Sequence, residues 1–149
     1  MPHPPREKPH LAEFEEACRR RGLAVTIQRR AVFGELAGRR DHPTADQVYD
    51  AVRGRLPGLS RTTVYRVLET LVDAGLARKV HHAGGVARFD PMTGRHHHLA
   101  CEGCGRLVDL DDALVPPLRL PATTGTGFRI KDYSVSFTGL CPGCAKKKG

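Results

Sequence analysis

Tryptophan is absent from this 149-residue chain, and aromatic residues of every kind make up only 5% of it. A core drawn from such a composition is aliphatic and modest in volume. No apolar run approaches the roughly 20 residues that a membrane-spanning helix needs. The opening "MPHPPREKPH" lacks the apolar stretch of a secretory leader. A cytoplasmic protein with no membrane partner is therefore expected. Cysteine is also scarce, at five residues, four of them in two Cys-x-x-Cys pairs. Neither a nucleophile motif nor a phosphate-cradling glycine loop is found, so an enzyme acting on a small-molecule substrate is not expected.

The length suits one ordinary domain or two small ones. The formal charge is +8, unevenly placed. Residues 1–94 carry 16 Lys and Arg against 11 Asp and Glu, a net of +5. Residues 95–149 carry 8 against 5, a net of +3 that the run "KKK" at 146–148 supplies. The basic excess of the folded chain thus sits in its first part. That suits attraction to nucleic acid, and equally a solvated basic surface.

Residues 1–10, rich in proline and charge, read as a flexible arm, and residues 11–90 as a winged helix-turn-helix. "HLAEFEEACRRRG" (10–22) sets Leu11, Phe14, Ala17 and Cys18 at a helical period before a glycine stop. Cys18 then falls in the core as a small apolar residue. "TIQRRAVFGELAG" (26–38) opens on a Thr cap and repeats the period through Ile27, Ala31, Val32 and Leu36. "PTADQVYDAVRGRLPG" (43–58) predicts a third helix from near Thr44 to just before Pro57. "SRTTVYRVLETLVDAG" (60–75) has a Ser60 cap, an apolar stripe of Val64, Val67, Leu68 and Leu71, and a Gly75 stop. "LARKV" and "VARFD" are short strands around the turn "HHAGG".

The outward face of helix 60–74 presents Arg61, Thr62, Tyr65 and Arg66 near its N-terminal end, the end that a recognition helix offers to base edges. Arginine reads guanine bidentately, and Thr or Tyr can meet a thymine methyl or a phosphate. Arg19, Arg20, Arg29 and Arg78 are candidate phosphate contacts. The bland alternative is an ordinary exposed helix face, and only the flanking helices and hairpin favour double-stranded DNA over it. His81 and His82 in the wing turn are backbone contacts or nothing; His3 and His10 are assigned no role.

Residues 91–149 read as a small α/β domain with two metal sites. Cys101 and Cys104 in "CEGCG" form one Cys-x-x-Cys knuckle, and Cys141 and Cys144 in "CPGC" form another. In a cytosolic chain such pairs indicate Zn2+ before disulfide, and four thiolates make a closed structural site. Upstream lies "RHHHLA". In a strand entering the knuckle, His96 and His98 share one face and His97 points the other way, toward solvent. "GRLVDL" returns as the second strand. A hairpin folded about 101–104 sets position 96 opposite 109, so His96, His98 and Asp109 converge. That set needs partners from further upstream, and His42 and Asp90 are candidates that spacing alone does not select.

In order, "TIQRRAVFGELAG", "HPTADQVYDAV", "LSRTTVYRVLETLVDAGL", "RFDP", "HHHLACEGCGRLVDL" and "GFRIKDYSVSFTGLCPGC" resemble the ferric uptake regulator superfamily, over about residues 11 to 145. The resemblance implies a dimeric, metal-dependent bacterial transcription factor whose C-terminal domain dimerises. Residue by residue, Cys101, Cys104, Cys141 and Cys144 match the structural zinc ligands. His42, Asp90, His96, His98 and Asp109 match an inter-domain regulatory site for Fe2+ or Mn2+. A third metal site of many members is not matched, since its positions are Arg95, His97, Pro116 and Tyr133. Asp at both 90 and 109 resembles the peroxide-responsive repressor branch, where iron-uptake members tend to carry Glu. Three prolines in "DDALVPPLRLP" predict a short or broken helix where relatives have a longer one.

Four functions follow as expectations. The first is a repressor released when peroxide oxidises His42 or His96. The second is an iron- or manganese-responsive uptake repressor switched by occupancy. The third, a zinc hydrolase using His96, His98 and Asp109, lacks a general base, because Glu102 sits inside the knuckle turn. The fourth, a purely structural or RNA-binding zinc ribbon, leaves His42 and Asp90 without a purpose.

Overall fold

The computed structural model describes residues 10–81, 85–121 and 124–149. The arm, apart from His10, and His82 to Gly84 of the wing turn lie outside these residues. Two compact units meet in the sequence between Gly94 and Arg95.

The first unit contains α1 (Leu11–Arg20), α2 (Ile27–Gly38), α3 (Ala45–Val52), α4 (Arg61–Asp73), β1 (Arg78–Val80) and β2 (Arg88–Asp90). Three of its helices start at hydroxyl caps. Thr26, Thr44 and Ser60 accept hydrogen bonds from the N–H groups of Arg29, Gln47 and Thr63, donors that a first turn otherwise leaves without an intrahelical acceptor. The Gln47 side chain accepts in turn from the Thr44 N–H, at 2.9 Å, which completes a capping box.

All four stripe residues of α4 are buried, as is Cys18. Phe14 stacks on Phe33 with ring centroids 4.7 Å apart. Ile27 departs from the expectation: it is 71% exposed, because the first residue of α2 lies ahead of the packed turns, and Phe33 joins Val32 and Leu36 in the core. The third helix is also shorter than the pattern predicts, ending at Val52 rather than before Pro57. Gly54 raises the cost of continuing it, and Pro57 disfavours a helical residue before itself.

β1 and β2 pair antiparallel, with Arg78 opposite Asp90. The wing is stitched to the start of α3: Thr44 bridges Arg88, and the Phe89 N–H donates to the Pro43 carbonyl at 2.9 Å. This stitching places the end of β2 beside residue 42.

The second unit contains β3 (His97–Cys101), β4 (Leu107–Leu110), a single 3-10 turn over Asp112–Leu114, β5 (Ser136–Gly139) and α5 (Pro142–Lys147). The sheet order is β4-β3-β5, with β3 antiparallel to β4 and parallel to β5. The proline-rich segment keeps only the 3-10 turn of a helix. The whole is an α+β fold, a winged helix-turn-helix followed by a small mixed sheet. Among the described residues no helix is long and apolar enough to cross a membrane.

Candidate metal centres and nucleic-acid face

The parallel pairing of β3 with β5 builds the cysteine cluster. Cys101 lies beside Gly139, so both strands end together and both knuckles leave from the same end. The sulfurs of Cys101, Cys104, Cys141 and Cys144 all lie within 4.8 Å of one another. A Cβ on Gly103 would stand 2.8 Å from Cys144 Sγ and 2.9 Å from its Cβ, so the turn closes over Cys144 only because residue 103 has no side chain. The Cys141 N–H donates to Cys101 Sγ at 3.2 Å. That bond, with a second from the Cys104 backbone, pulls the Cys101 thiol down to about 6. The Cys144 backbone lowers Cys141 in the same way. Cys144 is pushed up to about 12, first by its contact with the Cys141 sulfur and then by Cys101. The Cys101 sulfur is thus poised as a thiolate beside a Cys144 that keeps its proton, a pattern that a dication resolves by taking all four sulfurs as thiolates.

In the first unit, His42 and Asp90 are 3% and 1% exposed, with His42 Nε2 3.3 Å from Asp90 Oδ2. The other carboxylate oxygen of Asp90 accepts from the Met92 N–H at 2.8 Å, which turns Oδ2 toward the imidazole. His42 is the one non-glycine residue, among those described, with positive φ, at 52°. That left-handed backbone is held by the Arg88 guanidinium, which donates to the His42 carbonyl at 2.9 Å. A strained backbone kept in place around a buried donor is a mark of a functional position.

In the second unit, His96 and His98 both point an Nε2 at the same Asp109 oxygen, at 3.4 and 3.5 Å. Their rings meet edge to face with centroids 4.7 Å apart. The convergence is as expected, but the register differs: His98, not His96, stands opposite Asp109. The turn is longer than the 101–104 knuckle. The Cys101 N–H donates to the Arg106 carbonyl, and Gly105, at φ 74°, supplies the left-handed residue that extends the turn. A two-residue shift keeps every side chain on its face, so the set survives. His97 contradicts the solvent-facing expectation outright. It is fully buried, bonded to Asp112 at 2.8 Å, with the Val135 N–H donating to its Nδ1 at 2.9 Å. No sequence signal marked Asp112 or Val135 as its partners, because they reach it through chain segments with little regular structure.

Arg61, Thr62, Tyr65 and Arg66 are all exposed, as their outward face requires. Arg61 is not idle there: it pairs with Asp46 at 2.6 Å and lies 4.7 Å over the Tyr49 ring. Arg66 shares a polar groove with Thr26, Gln28, Arg29 and Thr63. Arg29 donates to the Ala24 carbonyl at 2.6 Å, and Arg19 pairs with Glu16 at 3.3 Å. Arg20 is exposed on the last turn of α1, and Arg78 is half-buried in β1.

Fold and donor clusters together define a winged-helix protein with clustered side chains in both units that could hold a metal ion. The chain belongs to the ferric uptake regulator family, whose model matches residues 20–138. The peroxide operon regulator of Bacillus subtilis is 33% identical to it over 138 residues, spanning 93% of this chain and 95% of that protein. The transcriptional regulator FurA of Mycobacterium tuberculosis is 38% identical over 136 residues, spanning 91% and 92%. Among solved structures, the ferric uptake regulator of Pseudomonas aeruginosa with manganese aligns with a TM-score of 0.65 at 26% identity, over 86% of this chain and 97% of that one. Family members are transcriptional regulators rather than enzymes, which removes the zinc hydrolase alternative.

Proposed function

We propose that this chain is a metal-dependent transcriptional repressor of the cytoplasm, binding palindromic operator DNA as a homodimer and released by hydrogen peroxide. The observation that carries the reading is the pair of buried donor sets, His42 with Asp90 and His96 with His98 around Asp109. Neither set fills a coordination shell alone. Three imidazoles and two carboxylates taken together suit Fe2+ or Mn2+, whereas the four cysteines suit a structural Zn2+. An ion shared by both sets favours one of two hinge states and so sets the spacing of two winged helices in a dimer. Operator half-sites lie about one helical turn apart, so that spacing decides affinity.

Arg61, Thr62, Tyr65 and Arg66 would then read bases, with Arg29 and Arg19 on phosphates. Leu99, Val108 and Phe137 stand in register across the sheet and are exposed, an apolar row that suits the dimer contact. A bound Fe2+ would activate hydrogen peroxide for cleavage of its O–O bond. The imidazole of His42 or His96 would supply the two electrons overall: one peroxide oxygen would be added to a ring carbon and the other would leave as water. The oxygenated ring would be a poorer donor, the donor set would fall apart, and the hinge would be released. Support comes from Asp at both carboxylate positions and from the likeness to a peroxide operon regulator.

A second reading, an uptake repressor switched by metal supply alone, is favoured by the likeness to a ferric uptake regulator solved with manganese. The two separate in one titration of the zinc-loaded full chain against a palindromic duplex. Binding is measured with Fe2+ or Mn2+, before and after stoichiometric peroxide. Loss of binding in the iron form alone, with one oxygen added to His42 or His96 by mass spectrometry, is the expected result. Survival of both complexes makes this an uptake repressor.

A further inference from the structure

His97 sits on the sheet face opposite its two neighbours, and both of its ring nitrogens are engaged there. The Val135 N–H donates to Nδ1 at 2.9 Å, so Nδ1 carries the lone pair and the ring proton is on Nε2. That Nε2–H donates to Asp112 Oδ1 at 2.8 Å. One imidazole thereby ties β3 to the turn after β4 and to the segment leading into β5. Its ring stacks on Tyr133, with centroids 6.0 Å apart and planes 21° apart. Tyr133 lies under the Arg95 guanidinium at 4.7 Å, and Arg95 pairs with Asp132 at 2.8 Å.

The register gives this clamp its consequence. β3 follows His96 and carries His98, while β4 carries Asp109. The His97–Asp112 bond joins the same two stretches of chain from behind, three residues past Asp109. Neighbouring side chains in a strand alternate in direction, so a roll of β3 that frees His97 carries both outer imidazoles off the shared Asp109 oxygen.

We propose that His97 is a positioning residue: clamped to Asp112 and Val135 behind the sheet, it holds His96 and His98 in the orientation that lets them share a metal ion with Asp109. This rests on reading His96, His98 and Asp109 as metal donors. The test uses the zinc-loaded full chain, with Mn2+ affinity measured by competition against a chelating dye and the donor field by the absorption bands of Co2+. His97→Phe keeps a ring without nitrogens, Asp112→Leu removes the acceptor, and Asp112→Asn retains one. The first two are expected to weaken Mn2+ binding by about 10- to 100-fold and to alter the Co2+ bands while zinc content stays unchanged. Asp112→Asn is expected within about threefold of the parent, since a neutral oxygen still accepts. If His97→Phe fails to fold, the two Asp112 variants decide: a weak Leu variant beside a near-parental Asn variant supports the clamp, and equal affinities overturn it. Parental affinity and spectra in both His97→Phe and Asp112→Leu overturn the inference and leave the metal site standing. A parent protein that takes up no Mn2+ beyond its zinc overturns both.

Discussion

The two units are held together by different forces. In the winged-helix unit fifteen buried residues, from Phe14 to Phe89, form one apolar cluster. In the sheet unit, Ala100, Cys101, Leu107 and Val115 are the buried apolar residues among those described, and they share the interior with His96, His97 and His98. Burial of apolar area scales with the number of side chains hidden from water, so the first unit can fold on its core. The second buries too little apolar surface within itself to do so, and side-chain bonds and metal donors take the place of a core. A fold can therefore be legible through hydrophobic period in one half and through ligand spacing in the other.

Metal removal should expose that contrast most strongly. Stripping zinc with a chelator, or replacing Cys104→Ser, is expected to remove stabilisation on the order of 10 kcal/mol from the sheet unit. Circular dichroism should then keep most of the helical signal while hydrogen exchange in residues 97–110 becomes fast. A helical signal lost in parallel would mean that the first unit does not stand on its own core. Acid should act in the same direction as chelation, because protons compete for the sulfurs. At about pH 7 the Cys144 thiol, raised to about 12, must give up a proton when zinc binds. Cys101, lowered to about 6, begins to compete only as pH falls through that value. Zinc affinity should decline throughout and more steeply below about pH 6. A flat profile across that range would remove the thiolate argument.

The converse change acts on the apolar cluster. Phe33→Ala takes away the ring stacked on Phe14 and is expected to cost about 3–5 kcal/mol, read as a lower denaturant midpoint of the helical signal with zinc content unchanged. Loss of zinc in that variant would show that the contrast between the units is overdrawn. The smallest effect concerns a helix end. Ser60→Ala removes the cap of α4 and should cost about 1 kcal/mol, seen in thermal unfolding, whereas Ser60→Asp should restore it. Equal stability of all three chains would mean that the cap contributes nothing to α4.

Much of this was legible in the chain itself. Four helices and a wing follow from apolar residues at a helical period and from Thr26, Thr44 and Ser60 placed ahead of them. These are local effects, decided within one or two turns. The two Cys-x-x-Cys pairs declared a common site for the same reason, since each knuckle is a local turn with a fixed reach. Alternation in a strand put His96, His98 and Asp109 on one face even though the register was off by two residues, because an even shift preserves the face.

Tertiary structure alone decided the rest. That His42 lies beside Asp90 depended on β2 pairing with the residues before α3. That the knuckles meet depended on the parallel pairing of β3 with β5, strands that lie far apart in the chain. His97 is the sharpest instance. Alternation correctly turned it away from its neighbours, but what lay on that far side, Asp112 and Val135, was set by segments without hydrophobic period. The sequence determined which residues share a face, because that is backbone geometry; the packed chain determined what each face meets, because that requires contacts between residues distant in sequence.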